Sequence, residues 1–192
     1  MAAPQKPFGF TLIELMITIA VLVILVTLAA PAFNLAEQRR VIGAAESALD
    51  QIQTARSEAI KQGRDIHFVS QGDGDTWCHG ISNTPTCDCT VDDAAAANAC
   101  TIVMAGDEDA VLRTTSSDDF RNVSMTGEQT LTFNHVRGTV ERIDSNDDPE
   151  PLVFTSAPND FGMQVQLNLI GRPRACGTNR ALGAYNQCPG GL

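Results

Sequence analysis

From Phe10 to Phe33 the chain reads FTLIELMITIAVLVILVTLAAPAF, and Glu14 is the only charged residue in it. The uncharged part, Leu15 to Phe33, spans about 28 Å as a helix, close to the hydrocarbon thickness of a bilayer. This predicts a segment over 10–33 that crosses a membrane once. Ahead of it lies MAAPQKPFG, residues 1–9, whose only charged side chain is Lys6. Positive charge favours the cytoplasmic side, which sends everything after Phe33 outward. An ordinary secretory signal ends its apolar region in small residues and is discarded whole. Here the small residue, Gly9, precedes the apolar run.

Beyond Pro31 the pattern becomes amphipathic. Val41, Ala45, Ala48, Leu49, Ile52, Ala55, Ala59 and Ile60 recur at helical spacing, with Arg39, Arg40, Glu46, Asp50, Arg56, Glu58 and Lys61 between them. One helix is expected from Phe10 to about Gln62, kinked at Pro31 and capped by Gly63, with residues 34–63 packing on a sheet. After Gly63 the signals are strands: Asp65 to Ser70, Cys100 to Ala105, Val111 to Ser116, Arg121 to Met125, Gln129 to Asn134, Gly138 to Ile143, Leu152 to Thr155 and Met163 to Ile170. The run Met163-Gln164-Val165-Gln166-Leu167-Asn168-Leu169 alternates as a half-buried antiparallel strand does. Residues 71–99 read as a long surface excursion and Asp144 to Glu150 as a polar turn. The fold class is α+β, a long N-terminal helix on an antiparallel β-rich head over 64–192.

The order Lys6, Gly9, Phe10, Thr11, Leu12, Ile13, Glu14, followed by an apolar helix, resembles the class III leader of type IV pilins and type II secretion pseudopilins. Phe133-Asn134-His135-Val136-Arg137-Gly138-Thr139-Val140 resembles a strand, turn and strand signature of the GspH/FimT/FimU branch of minor pilins. The Pro-Phe between Lys6 and Gly9 departs from the family, which places its basic residue closer to the glycine. The resemblance implies that a prepilin peptidase cuts between Gly9 and Phe10 and that the new terminus becomes N-methylphenylalanine. It also implies the pilin architecture and assembly with other major and minor pilins. The chain would then sit in the inner membrane by a single pass, with its head in the periplasm, or outside the cell once assembled. A carboxylate in hydrocarbon costs several kcal/mol unless paired, and the Phe10 amine, on the same chain or a neighbour, would pair Glu14.

The 192 residues are 43% hydrophobic and 19% charged, too apolar for a disordered chain. A net charge of -10 excludes a protein that coats nucleic acid over its whole surface. The six cysteines, Cys78, Cys87, Cys89, Cys100, Cys176 and Cys188, are even in number and placed on the oxidising side, so disulfides are expected. One bridge joins Cys176 to Cys188 and two lie among the other four, their pairing open. A zinc site from Cys78, His79, Cys87 and Cys89 fits poorly, because one intervening residue is too few for structural zinc ligands. Asp73 with Asp75, or Asp147 with Asp148, complete no calcium loop. No enzyme motif is present, His67, His79 and His135 are scattered, and neither metal nor cofactor is called for.

From Phe161 to Leu192 no acidic residue occurs, while Arg172, Arg174 and Arg180 do. Gly171-Arg172-Pro173-Arg174 beside the Cys176 loop, within a basic C-terminal loop over 171–192, resembles the DNA-binding motif of FimT-type competence pilins. By that resemblance Arg172 and Arg174 would grip the phosphate backbone during natural transformation. Arg180 is added on charge alone, since a guanidinium fork matches phosphate oxygens. The alternative is the H-type minor pseudopilin of a type II secretion system, with no DNA role.

Overall fold

The computed structural model describes residues 10–143, 149–156 and 160–189, with no side-chain description for 28–32. The expected leader 1–9, including Gly9, and the pair Asp147 and Asp148 lie outside the described residues. The chain divides into two compact units, one ending at Ala36 and one spanning Glu37–Leu192. Helix α1, Leu12–Gln62, contributes to both.

In the first unit, Thr11 caps α1 by accepting a hydrogen bond from the Glu14 amide at 3.3 Å. Glu14 lies in the first turn, where a negative charge complements the helix dipole. The hydroxyls of Thr18 and Thr27 donate to the carbonyls of Leu15 and Ile24 and so are satisfied within the helix. Phe10 is 82% exposed, and the apolar side chains from Leu12 to Val26 are likewise exposed. The helical assignment runs unbroken through Pro31. Among the described residues no helix is long and apolar enough to cross a membrane.

In the second unit, the helical face carrying Val41, Ala44, Ala45, Ala48, Ile52, Ala55 and Ala59 is buried. Its small residues let the backbone approach the sheets closely. The larger sheet has the order β5-β2-β1-β7-β8, from Thr114–Ser116, Thr76–Ser82, Ile66–Asp73, Gln129–Phe133 and Val140–Arg142. A second sheet has the order β11-β10-β9-β6, from Pro173–Gly177, Phe161–Leu167, Leu152–Ser156 and Ser124–Thr126. β3, Thr101–Val103, and β4, Ala110–Leu112, form a separate ribbon. Every strand pair is antiparallel. Phe68, Phe133, Phe154, Met125, Leu131 and Met163 fill the core with the helical face. The architecture is α+β, as the sequence predicts.

Two strands lie where the sequence predicts none. β2 lies inside the stretch read as a surface excursion. It is buried on every residue after Thr76, so it carries no alternation to betray it. β11 occupies part of the stretch read as a basic loop. It opens on Pro173, which is admissible at the first residue of an edge strand. Val111 to Ser116, expected as one strand, is two, broken at Arg113, whose amide donates to Cys100 O at 3.1 Å.

Candidate functional site

The β10–β11 hairpin turn is built on Asn168. Its carbonyl accepts from the Gly171 amide and its side-chain oxygen from the Arg172 amide, each at 2.8 Å. Asn residues favour such turns because their side chain substitutes for a backbone acceptor. Leu169 and Ile170 fill the turn and are each 55% exposed. Arg174 follows on β11, opposite Gln166. Arg172 and Arg174 are exposed, and neither guanidinium has an ion-pair partner among the described residues.

A second turn abuts the first. It joins β7 to β8, with Asn134 Oδ1 accepting from the amides of Val136 and Arg137. The Val140 amide donates to Leu169 O at 3.2 Å. Gly138 and Gly171 meet where the turns cross, with φ of 62° and 74°. A Cβ on Gly171 would collide with Gly138 O and lie 3.1 Å from Arg56 Nε. Arg56 of α1 donates from that nitrogen to Gly138 O at 3.0 Å and so fixes the β7–β8 turn to the helix. Arg137 and Val136 therefore stand beside Leu169, Ile170 and Arg172. Sequence reading missed Arg56 and Arg137; the charge of the former sits on the helix and that of the latter in a turn, with nothing local to couple them.

Arg180 stands apart from the Arg172–Arg174 pair. Its guanidinium lies 4.7 Å from the Phe161 ring centroid, in cation–π geometry. Phe161 is five residues along β10 from Gln166, the partner of Arg174, or about 17 Å at about 3.4 Å per residue. The segment carrying Arg180 is held by the Cys176–Cys188 disulfide, by mutual amide bonds between Leu182 and Tyr185, and by Tyr185 OH donating to Glu46 Oε1 at 2.7 Å. That bond to Glu46, then burial and the carboxylate charge, hold the phenol above its ordinary pKa.

The other cysteines form Cys78–Cys89 and Cys87–Cys100. Gln71 ties the bridged segment to β1, accepting from the Cys89 amide at 3.0 Å and donating to Cys87 O at 3.3 Å. With these sulfurs in disulfides, the thiolates a zinc site needs are already consumed. Asp73 and Asp75 are likewise occupied, by the Gly74 amide and the Ser124 hydroxyl. Among the described residues no group of three or more His, Cys, Asp or Glu could hold a metal.

The histidines occupy separate environments. His79 is fully buried, with Nδ1 2.9 Å from Gln51 Oε1 and Nε2 3.3 Å from Ser47 Oγ, and burial pushes its pKa down to about 3. It is a neutral core residue. Burial also lowers His67, against the opposing charge of Asp65. His135 pairs with Asp65 at 2.8 Å at the surface. Its hydrogen bonds, from the ring and the backbone amide, outweigh burial and hold the Asp65 carboxyl below its ordinary range.

A family model described as Type II transport protein GspH matches residues 44–171, more than half of the chain. The chain belongs to the GspH family. A second model, the prokaryotic N-terminal methylation motif, matches residues 5–30, which include Gly9, Phe10 and Glu14. No curated protein and no solved structure matches. Together the two models make this GspH-family chain a minor pilin or pseudopilin, a structural component of a type IV pilus or a type II secretion system. The methylation motif implies processing by prepilin peptidase, membrane anchoring and assembly with other pilins. The GspH match ends at Gly171, so Arg172, Arg174 and Arg180 lie beyond it.

Proposed function

We propose that the chain is a minor pilin that primes assembly of a type IV pilus near its tip and binds DNA there during natural transformation. The segment over 10–33 crosses the inner membrane once, with the head in the periplasm until assembly carries it outside. Prepilin peptidase cuts between Gly9 and Phe10, Phe10 is methylated, and its amine pairs with Glu14 in the filament core. The observation that carries the DNA role is the exposed Arg172 and Arg174, two residues apart where the turn locked by Asn168 and Gly171 enters β11, without ion pairs among the described residues. Preorganised guanidinium groups lose little entropy on meeting phosphate. Arg180 joins them only on a ligand that extends about 17 Å along β10.

Fluorescence anisotropy of a labelled duplex, titrated with the full chain in detergent, tests this. Binding should weaken with salt at a log-log slope of about -2 to -3 for two or three phosphate contacts. It should be lost in Arg172→Gln/Arg174→Gln; unchanged affinity in that double variant refutes the DNA role. The description of the matched family favours a second reading, an H-type pseudopilin of a type II secretion system with no DNA role. Deleting the gene separates them: loss of pilus assembly and transformation supports the first, loss of protein secretion the second.

A further inference from the structure

We propose that the cleft between α1 and β5 is a binding site for a small zwitterion, an ammonium and a carboxylate on an aliphatic body, as in a free amino acid or a short peptide. It stands apart from the DNA role and uses none of its residues. Ser47, Asp50, Gln51 and Thr54 recur at helical spacing and form one polar stripe along α1, beside the buried face of Ala44, Ala48 and Ala55. Thr114 and Thr115 of β5 stand across from that stripe. The two walls enclose a 330 Å³ pocket, at the small end of the range for ligand sites. Ile81, Met104 and Leu112 complete it with an apolar patch.

The polar groups of the pocket are held in place before any ligand arrives. The Gln51 amide donates from Nε2 to Thr115 Oγ1 at 3.0 Å, and its Oε1 lies 2.9 Å from Nδ1 of the fully buried His79, so the carboxamide is clamped from both ends. Thr115 accepts that bond, and among the described residues its own proton has no acceptor. Asp50 and Arg113, both exposed, carry opposite charges and, among the described residues, pair neither with each other nor with any other group. An anion alone would satisfy the guanidinium and be repelled by the carboxylate, and a cation alone the reverse. A zwitterion pairs both, and the Thr115 hydroxyl and the second Gln51 N–H add donors for its carboxylate. The apolar patch takes an aliphatic stem, while a lining without an aromatic ring offers no platform for a stacked base. Groups ordered in advance lose little entropy on binding.

Equilibrium dialysis of the full chain in detergent against radiolabelled leucine tests the site. Leucine should bind and should raise the urea midpoint read by the buried Trp77, as a ligand of the folded state does. As competitors, N-acetylleucine, which lacks the ammonium, and leucinamide, which lacks the carboxylate, should each bind about tenfold more weakly. Asp50→Asn should weaken leucine about tenfold without weakening N-acetylleucine, and Arg113→Met should weaken leucine by the same factor without weakening leucinamide. Both residues are exposed and unpaired among the described residues, so the variants fold. Binding of leucine marks a free amino acid as the ligand; binding of glycylleucine but not of leucine marks a short peptide, and the same two variants should then weaken glycylleucine. Blocked analogues that bind as well as leucine, affinity insensitive to both substitutions, or no binding of either probe at millimolar concentration overturns the proposal.

Discussion

Replacing Gly171 by Ala should cost the head about 3–4 kcal/mol. The turn holds Gly171 at φ 74°, and a side chain there costs about 1–2 kcal/mol in conformation alone. The added methyl would also collide with Gly138 O, a backbone atom that cannot swing aside, and crowd Arg56 Nε at 3.1 Å. Relief requires the two turns to separate, which breaks the 3.0 Å bond from Arg56 to Gly138 O, a charged hydrogen bond of about 1.5–3 kcal/mol. For a domain of this size the sum lowers Tm by about 10 °C. Trp77, the only tryptophan, is buried in the core and hydrogen-bonded to Val123 O, so its fluorescence reports unfolding of the head in urea. Gly63→Ala is the control. Gly63 has φ 63°, but a Cβ there meets nothing within 4 Å, so only the conformational part, about 1–2 kcal/mol, applies. Equal losses in the two variants would refute the close approach of the turns around Arg56.

Three further outcomes follow. Below pH 6.5 the unfolded chain takes up the proton that buried His79 refuses, so stability present above pH 6.5 is lost as pH falls toward about 3, by up to about 1.4 kcal/mol per unit; urea midpoints between pH 6.5 and 4.5 should show this slope and His79→Phe should flatten it. Burial opposes ionisation of Glu58, but hydrogen bonds from Lys61, Gln62 and the Ala105 amide outweigh it and hold its pKa below 4.5, so its contribution is present above pH 4.5 and lost below; Glu58→Gln should destabilise at pH 7 and converge on the parent in acid. Cys176→Ser/Cys188→Ser opens a loop with a sequence separation of 12 and should cost about 3 kcal/mol by the same Trp77 assay.

The helix and its partners were legible because their signals are periodic. Val41 to Ala59 mark a face by spacing, and the expected end at Gln62 matches α1. β7 and β10 were legible through alternation, and the C-terminal disulfide through loop length and cysteine count. β2 was hidden because burial on both faces erases alternation. Its Cys78 falls in a stretch that reads as a surface excursion, yet Cys78 and Cys100 pack with Val69, Cys87 and Cys89 as a small second core. The arginines of the C-terminal region were visible as charge, but their grouping was not. Separation of Arg180 from Arg172 and Arg174 depends on β11 being a strand, and the presence of Arg137 beside them depends on Gly138 and Gly171 meeting 33 residues apart. Contacts of that kind are set by which sheet edges face each other, and no local pattern encodes them.

The outer edge of β11 is sealed at both ends. Pro173 offers no amide, and at the other end Gly177 exchanges bonds with the tail, donating to Asn186 O and accepting from the Cys188 amide at 2.9 Å each. The disulfide fastens that tail in place. An open strand edge in a crowd of identical domains invites strand addition and irreversible fusion. The disulfide-closed C-terminal segment acts as a stopper on the second sheet, so heads gathered side by side in an assembly stay separate folds.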